Sequence, residues 1–180
     1  MTGPRTAFVL TVSDRTVAGT RTDDSGAALE ARLAELGFVV ERGAVPDEVA
    51  EIAGAIRGAG ARHPLVVTTG GTGLTPRDVT PQATSTVLDY EVPGIAEAIR
   101  AEGRRSTPFA ALSRGLVGVA RGALVVNVPG SPRGAMESFE VVVPVLEHAL
   151  ETLAGPFDHE QARAAGRTDL PGASRPPEEA

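Results

Sequence analysis

The sequence predicts an α/β fold, a three-layer α/β/α sandwich around a mostly parallel sheet. Three observations carry that expectation. Short apolar runs alternate with helical periodicities along the chain, the pattern of strands joined by crossover helices. One run, Pro64–Thr68, is apolar without alternation, as in a strand covered on both faces. At 180 residues, 42% hydrophobic and 22% charged, the chain fits one ordinary globular domain, with no internal repeat.

The elements follow in order. Ala7–Val12 is β-branched and aromatic and reads as a buried strand. A polar loop runs from Ser13 to Asp24, and Leu29, Leu33 and Leu36 then fall on one helix face. Asp23, Asp24 and Ser25 offer capping oxygens to that helix, and Gly37 stops it. Phe38–Val40 reads as a strand. Pro46-Asp-Glu48 opens a helix with Val49, Ile52 and Ile56 inward. After the third strand comes a Gly- and Pro-rich loop, ended by Thr80-Pro81 as N-cap and first helical residue. A helix from Pro93 to about Glu102 turns Ile95 and Ile99 inward, and Leu116–Val119 and Ala123–Val128 are strands separated by Arg121-Gly122. Met136, Phe139, Val143, Leu146, Leu150 and Leu153 mark a long helix that Pro144 should kink or split. The domain is expected over residues 1–155, with a disordered tail over 156–180.

Composition excludes several chemistries. The chain has no Cys, which removes disulfides, thiolate metal sites and cysteine nucleophiles. It has no Lys either, all 17 basic residues being Arg, so a complete P-loop, a Schiff base and a lysine base are absent. A net charge of −6 argues against nucleic acid or an anionic membrane as the main partner. No targeting segment or membrane-length apolar run is visible, and a cytoplasmic protein is expected. His63, His148 and His159 have no metal-ligand spacing.

The chemically suggestive residues all follow strands, at the sheet edge where open α/β folds bind ligands. They are Ser13-Asp14, Thr69 to Asp78, and Asn127 to Ser131. In Thr68-Thr-Gly-Gly-Thr-Gly73, glycines let backbone N–H groups converge on an anion. Leu74-Thr-Pro-Arg-Asp78-Val-Thr-Pro81 then sets a cation and a carboxylate beside the loop. Asp78 either holds Mg²⁺ against bound phosphates or caps the helix at Pro81. Asp47 either caps its own helix or faces the same crevice. Ser131 in Asn127-Val-Pro-Gly-Ser-Pro132 suits a phosphate or a ring carbonyl, or simply enters a helix.

Taken together, these segments resemble the molybdopterin adenylyltransferase family, the bacterial Mog and MoaB proteins whose domain also occurs in gephyrin. The resemblance rests on Val12-Ser-Asp-Arg15, Gly19 with Asp23-x-Ser-Gly26, Val45-Pro-Asp47, Thr68 to Pro81, Glu91-Val-Pro-Gly-Ile95, Leu112-Ser-Arg114 and Asn127 to Pro132. They span roughly residues 6–154 in family order. The resemblance implies Mg²⁺-dependent transfer of AMP from ATP to molybdopterin with release of pyrophosphate. Asp47 and Asp78 match the family's essential acidic residues and are expected to hold Mg²⁺, directly or through water. Ser13, Asp14, Arg15, Thr69, Gly70, Gly71, Thr72, Gly73, Gly130 and Ser131 are the expected substrate- and nucleotide-binding positions. Gln82 stands where Glu is common, and Arg133 where Lys is common. A homotrimer or hexamer and hand-over to a downstream metal-insertion enzyme are further implications. The alternative is a module of the same family that binds or carries molybdopterin without catalysis.

Overall fold

Six strands lie in one mixed sheet in the order β2-β1-β3-β6-β5-β4. They are β1 (Thr6–Val12), β2 (Val39–Val45), β3 (Leu65–Thr69), β4 (Tyr90–Glu91), β5 (Val117–Ala120) and β6 (Ala123–Val128). The computed structural model describes residues 5–155; the tail expected from 156 lies outside them. The helices are α1 (Asp14–Val17), α2 (Asp24–Glu35), α3 (Val49–Gly60), α4 (Thr80–Ser85), α5 (Pro93–Ser106) and α6 (Pro132–Ala154). β2, β1, β3 and β6 are mutually parallel, and β5 and β4 run antiparallel to their neighbours.

The three layers follow from side-chain alternation along the buried strands. Ala7 and Val9 of β1 and Leu65 and Val67 of β3 point to one face, where Leu29, Leu33, Ile99, Phe139 and Leu146 of α2, α5 and α6 cover them. Phe8, Leu10 and Val66 point to the other, against Ile52 and Ile56 of α3 and Ala83 of α4. Each face needs a helical layer because the strands are apolar on both. Gly37 ends α2 with φ +84°, and Arg121-Gly122 joins β5 to β6 with both φ values positive, the twist a two-residue hairpin turn needs.

Several sequence expectations are corrected. The loop after β1 contains a one-turn helix, α1, whose first turn is capped by Ser13 Oγ accepting from the Thr16 N–H at 3.2 Å. β2 continues to Val45, well past Val40; as an edge strand it stays largely exposed and so lacks an apolar signature. α3 starts at Val49, not at Pro46, and Val49 itself is exposed, leaving Ile52 and Ile56 as the inner face. α4 starts at Thr80 with Val79 as its cap, because the Thr80 hydroxyl is engaged elsewhere. Tyr90–Glu91 forms a short strand that no apolar run announced, α5 extends to Ser106, and a 3₁₀ turn follows over Pro108–Leu112. Pro144 does not split α6, which runs through 23 residues with the proline on its exposed side.

Candidate functional site

The carboxyl ends of β1, β2, β3 and β6 deliver four loops to one rim of the sheet. Between them lies a crevice of about 650 Å³. Its wall includes Ser13, Asp14, Arg15, Asp47, Thr69, Gly70, Gly71, Asp78, Gly130 and Ser131. Asp47 and Asp78, 31 positions apart in sequence, therefore face one space.

Close backbone contact fixes the rim. Gly70 has φ +105°, and a Cβ there would stand 2.3 Å from the Val12 carbonyl oxygen; Gly71 has φ +63°, and its Cβ would meet Thr80 Oγ1 at the same distance. Only glycine combines that conformation with that proximity. The Gly70 N–H donates to the Val128 carbonyl at 3.2 Å, so it is committed to the fold and not to an anion. The Thr80 hydroxyl donates to the Gly70 carbonyl at 2.9 Å, and the Thr80 N–H to that of Gly71 at 3.1 Å. The loop thus closes on its own start. The Thr69 hydroxyl donates to the Pro129 carbonyl at 2.8 Å, tying this loop to the turn that carries Gly130 and Ser131.

The two aspartates are held by backbone N–H groups. Asp47 Oδ2 accepts from the Asp14 N–H at 2.9 Å, and Asp14 Oδ1 accepts from the Asp47 N–H at 3.1 Å. Asp47 is consequently no helix cap; Glu48 occupies that position and makes no side-chain cap bond. Asp78 Oδ2 accepts from the Thr75 N–H at 2.8 Å, and the Asp78 N–H donates back to the Thr75 carbonyl at 2.9 Å. This turn is its own, so Asp78 does not cap α4. Arg77 reaches Asp14 at 2.7 Å and Glu48 at 2.9 Å, joining the loops after β1, β2 and β3. The bond from the Asp47 backbone, then Arg77, holds the Asp14 carboxyl below the usual carboxylate range. Hydrogen bonds to Glu48 and Asp14 in turn raise the Arg77 guanidinium above its ordinary value.

Arg15 and Arg21 line the same crevice, and neither has a carboxylate partner among the described residues. Sequence reasoning missed Arg21, which lies in a polar loop with no periodicity to say where it points. Thr72 and Gly73 do not line this crevice. They back it and face a second cavity of about 270 Å³, walled by Ile99, Phe109, Ala110, Leu112 and Pro129, with Ser113 and Ser138 beside them. Ser131 borders both cavities, while its Oγ accepts from the Gly134 N–H at 3.2 Å and so caps α6. The segment from Thr107 to Ser113 was also missed; Leu112-Ser-Arg114 carried a resemblance but no role. Asn127, grouped by sequence with the ligand-facing residues, is 3% exposed and structural. Its Nδ2 donates to the hydroxyls of Thr68 and Thr84, and its Oδ1 accepts from the Leu116 N–H.

Among the described residues no three His, Asp or Glu side chains converge to hold a metal ion. Asp47 and Asp78 each commit one oxygen to a backbone N–H, and both residues line the crevice. That donor set fits Mg²⁺ held by one or two carboxylates and completed by substrate phosphate oxygens. It does not fit a dedicated protein cage. His63 is far from this chemistry in character, buried against Phe8 with Nε2 3.1 Å from Glu41. No helix among the described residues is long and apolar enough to cross a membrane.

Comparison with known proteins gives this geometry a family. Residues 8–148 match the family described as "Probable molybdopterin binding domain". The crystal structure of the molybdopterin biosynthesis enzyme MoaB from Thermus thermophilus is 47% identical, with a TM-score of 0.78 over 86% of this chain and 99% of that one. The molybdenum cofactor biosynthesis bifunctional protein of Chlorobaculum tepidum is 40% identical over 154 residues, which are 84% of this chain; the chain spans about half of that protein's length, 49%. The molybdopterin adenylyltransferase of Helicobacter pylori is 34% identical over 154 residues, 83% of this chain and 88% of that protein. With the match running from β1 into α6 and the fold shared throughout, the chain belongs to the molybdopterin-binding domain family of molybdenum cofactor biosynthesis, in its Mog and MoaB branch.

Proposed function

We propose that the protein transfers AMP from ATP to molybdopterin. An oxygen of the pterin's terminal phosphate attacks the α-phosphorus of ATP, a new P–O–P bond forms, and the bond to the β-phosphate breaks to release pyrophosphate. The observation that carries this reading is the adjacency of two cavities of different character. One is acidic and glycine-rimmed; the other is largely apolar, and Ser131 stands between them. The larger takes the nucleotide and the smaller the pterin ring. The attacking group belongs to the substrate, so the absence of Cys and Lys costs the reaction nothing.

The protein's part is alignment and charge neutralisation, which dominate catalysis of such transfers. Arg15 and Arg21, free of carboxylate partners among the described residues, meet phosphate oxygens. Asp47 and Asp78 would hold Mg²⁺, whose role when bound is to neutralise charge on the triphosphate. The rigid rim keeps the α-phosphorus facing Ser131 and the smaller cavity. Alignment of this kind is worth roughly 7–11 kcal/mol of barrier in favourable cases. The same proposal includes a trimer or hexamer as the assembly, a cytoplasmic setting, and a metal-insertion enzyme as the recipient of the product.

The test is pyrophosphate release from ATP and molybdopterin. Wild-type protein is expected to release it in a Mg²⁺-dependent manner. Asp78→Asn is expected to lose it by at least about 100-fold, the scale of removing a group acting on the developing charge, while melting within a few degrees of wild type. Tight pterin binding without pyrophosphate release would make the protein a carrier and end the proposal.

A further inference from the structure

We propose that Arg114 is a positioning residue that braces the backbone carrying Asp78 and keeps the two cavities in fixed register. Its guanidinium makes no ion pair among the described residues. Instead Nε donates to the Gly73 carbonyl at 2.7 Å and a terminal nitrogen donates to the Asp78 carbonyl. The Arg114 N–H donates to the Thr72 carbonyl at 3.0 Å. Three bonds from one residue therefore reach three carbonyls along a single wall. A planar fork of N–H groups can hold two carbonyls at fixed angles, whereas a lysine ammonium on a flexible stem cannot.

What hangs from this brace is a closed unit. Asp78 and Thr75 bond each other in both directions, so the turn between them moves as one piece. On the other side, Leu112 and Ser113 immediately precede Arg114 and line the smaller cavity. One half-buried side chain thus links the wall of the apolar cavity to the carboxylate of the acidic one. In a reaction between two bound substrates, a misplacement of about 1 Å can cost on the order of 100-fold in rate.

The brace is tested with Arg114→Met and Arg114→Lys by amide hydrogen exchange. Loss of a charge-assisted bond is expected to speed exchange at Thr75 and Asp78 by about 10- to 100-fold in Arg114→Met. Amides of β3 and β6 should keep their wild-type rates, and Arg114→Lys should fall between. Unchanged exchange at Thr75 and Asp78, or acceleration across the whole sheet, would overturn the proposal. Its catalytic arm rests on the adenylyl-transfer reading. There Arg114→Met is expected to lower kcat at least about tenfold with the KM for Mg·ATP nearly unchanged. A raised KM with wild-type kcat would instead make Arg114 a simple binding residue and overturn positioning. Should wild-type protein itself release no pyrophosphate, adenylyl transfer fails, and hydrogen exchange alone decides the role of Arg114.

Discussion

Asp14 and Asp47, 33 positions apart, hold each other through paired backbone-to-carboxylate bonds, and that pairing decides what Asp47 is for. A helix cap would direct its oxygens to the first turn of α3; here one oxygen reaches back to another loop, and the residue lines the crevice. Asp23 is a contrasting carboxylate. Burial, the largest single influence, pushes its pKa up, but hydrogen bonds from Arg42, Thr11 and the Gly26 N–H together hold it below the ordinary value. Its stabilising contribution is therefore complete above an unfolded-state pKa of about 3.9 and fades as pH falls through the lower folded value. Urea midpoints measured between about pH 2 and pH 5 should fall with acid in wild type, and Asp23→Asn should flatten that slope. Gly70→Ala tests the tightest approach in the rim. The added methyl must both adopt φ +105° and meet a main-chain carbonyl that cannot swing aside. Strain and overpacking together predict a loss of roughly 2–6 kcal/mol in urea unfolding.

At the scale of elements, the legible parts are those where local chemistry and tertiary role coincide. The glycines of the loop after β3 announce a sharp bend, made at Gly70 and Gly71, and the run without alternation announces a strand covered on both faces, as β3 is. β2 runs past its apolar start because an exposed edge strand needs no apolar face, and Ala44 and Val45 follow the polar Glu41-Arg42. The role of Asp47 is ambiguous in sequence because a cap and a loop-to-loop clasp use the same residue type at the same junction. Asn127 misleads for a related reason. A lone amide after a strand looks like ligand chemistry until its three partners are seen to be Thr68, Thr84 and Leu116. The second cavity leaves no trace in sequence, since Ile99 of α5, the 3₁₀ turn that carries Phe109 and Leu112, and Pro129 after β6 meet only on folding. α6 supplies the prediction at this scale. An interior proline removes a helical hydrogen bond and is about 3 kcal/mol less favourable than Ala. Pro144 is exposed, so Pro144→Ala should raise the melting temperature with catalytic parameters unchanged.

For the whole molecule, the net charge of −6 opposes the approach of a polyanion. Most arginines near the rim are already paired or tied to carbonyls: Arg42 with Asp23 and Glu30, Arg77 with Asp14 and Glu48, Arg114 with the loop backbone. Arg15 and Arg21 are left to set the local sign. If they attract the triphosphate, raising ionic strength should weaken nucleotide binding, since exposed charges are screened beyond about 10 Å at 0.1 M salt. Titration calorimetry with Mg·ATP should show that salt dependence in wild type and a much flatter one in Arg15→Gln/Arg21→Gln. A slope unchanged in the double variant would remove both side chains from nucleotide capture.

The reversal of β5 has a structural dividend beyond closing the sheet. Parallel strands send only departing chain to their upper edge, so every loop there leads away into a helix. β5 enters from that edge instead, and the segment about to become strand passes across the rim before it is fixed by pairing with β6. It brings an arriving peptide up against the glycine loop, where Arg114 can grip from behind a wall whose front is built by departing ones. A mixed sheet thereby supplies its ligand-facing edge with two kinds of scaffold, and the clasp between them runs from the peptide entering β5 to the loop leaving β3.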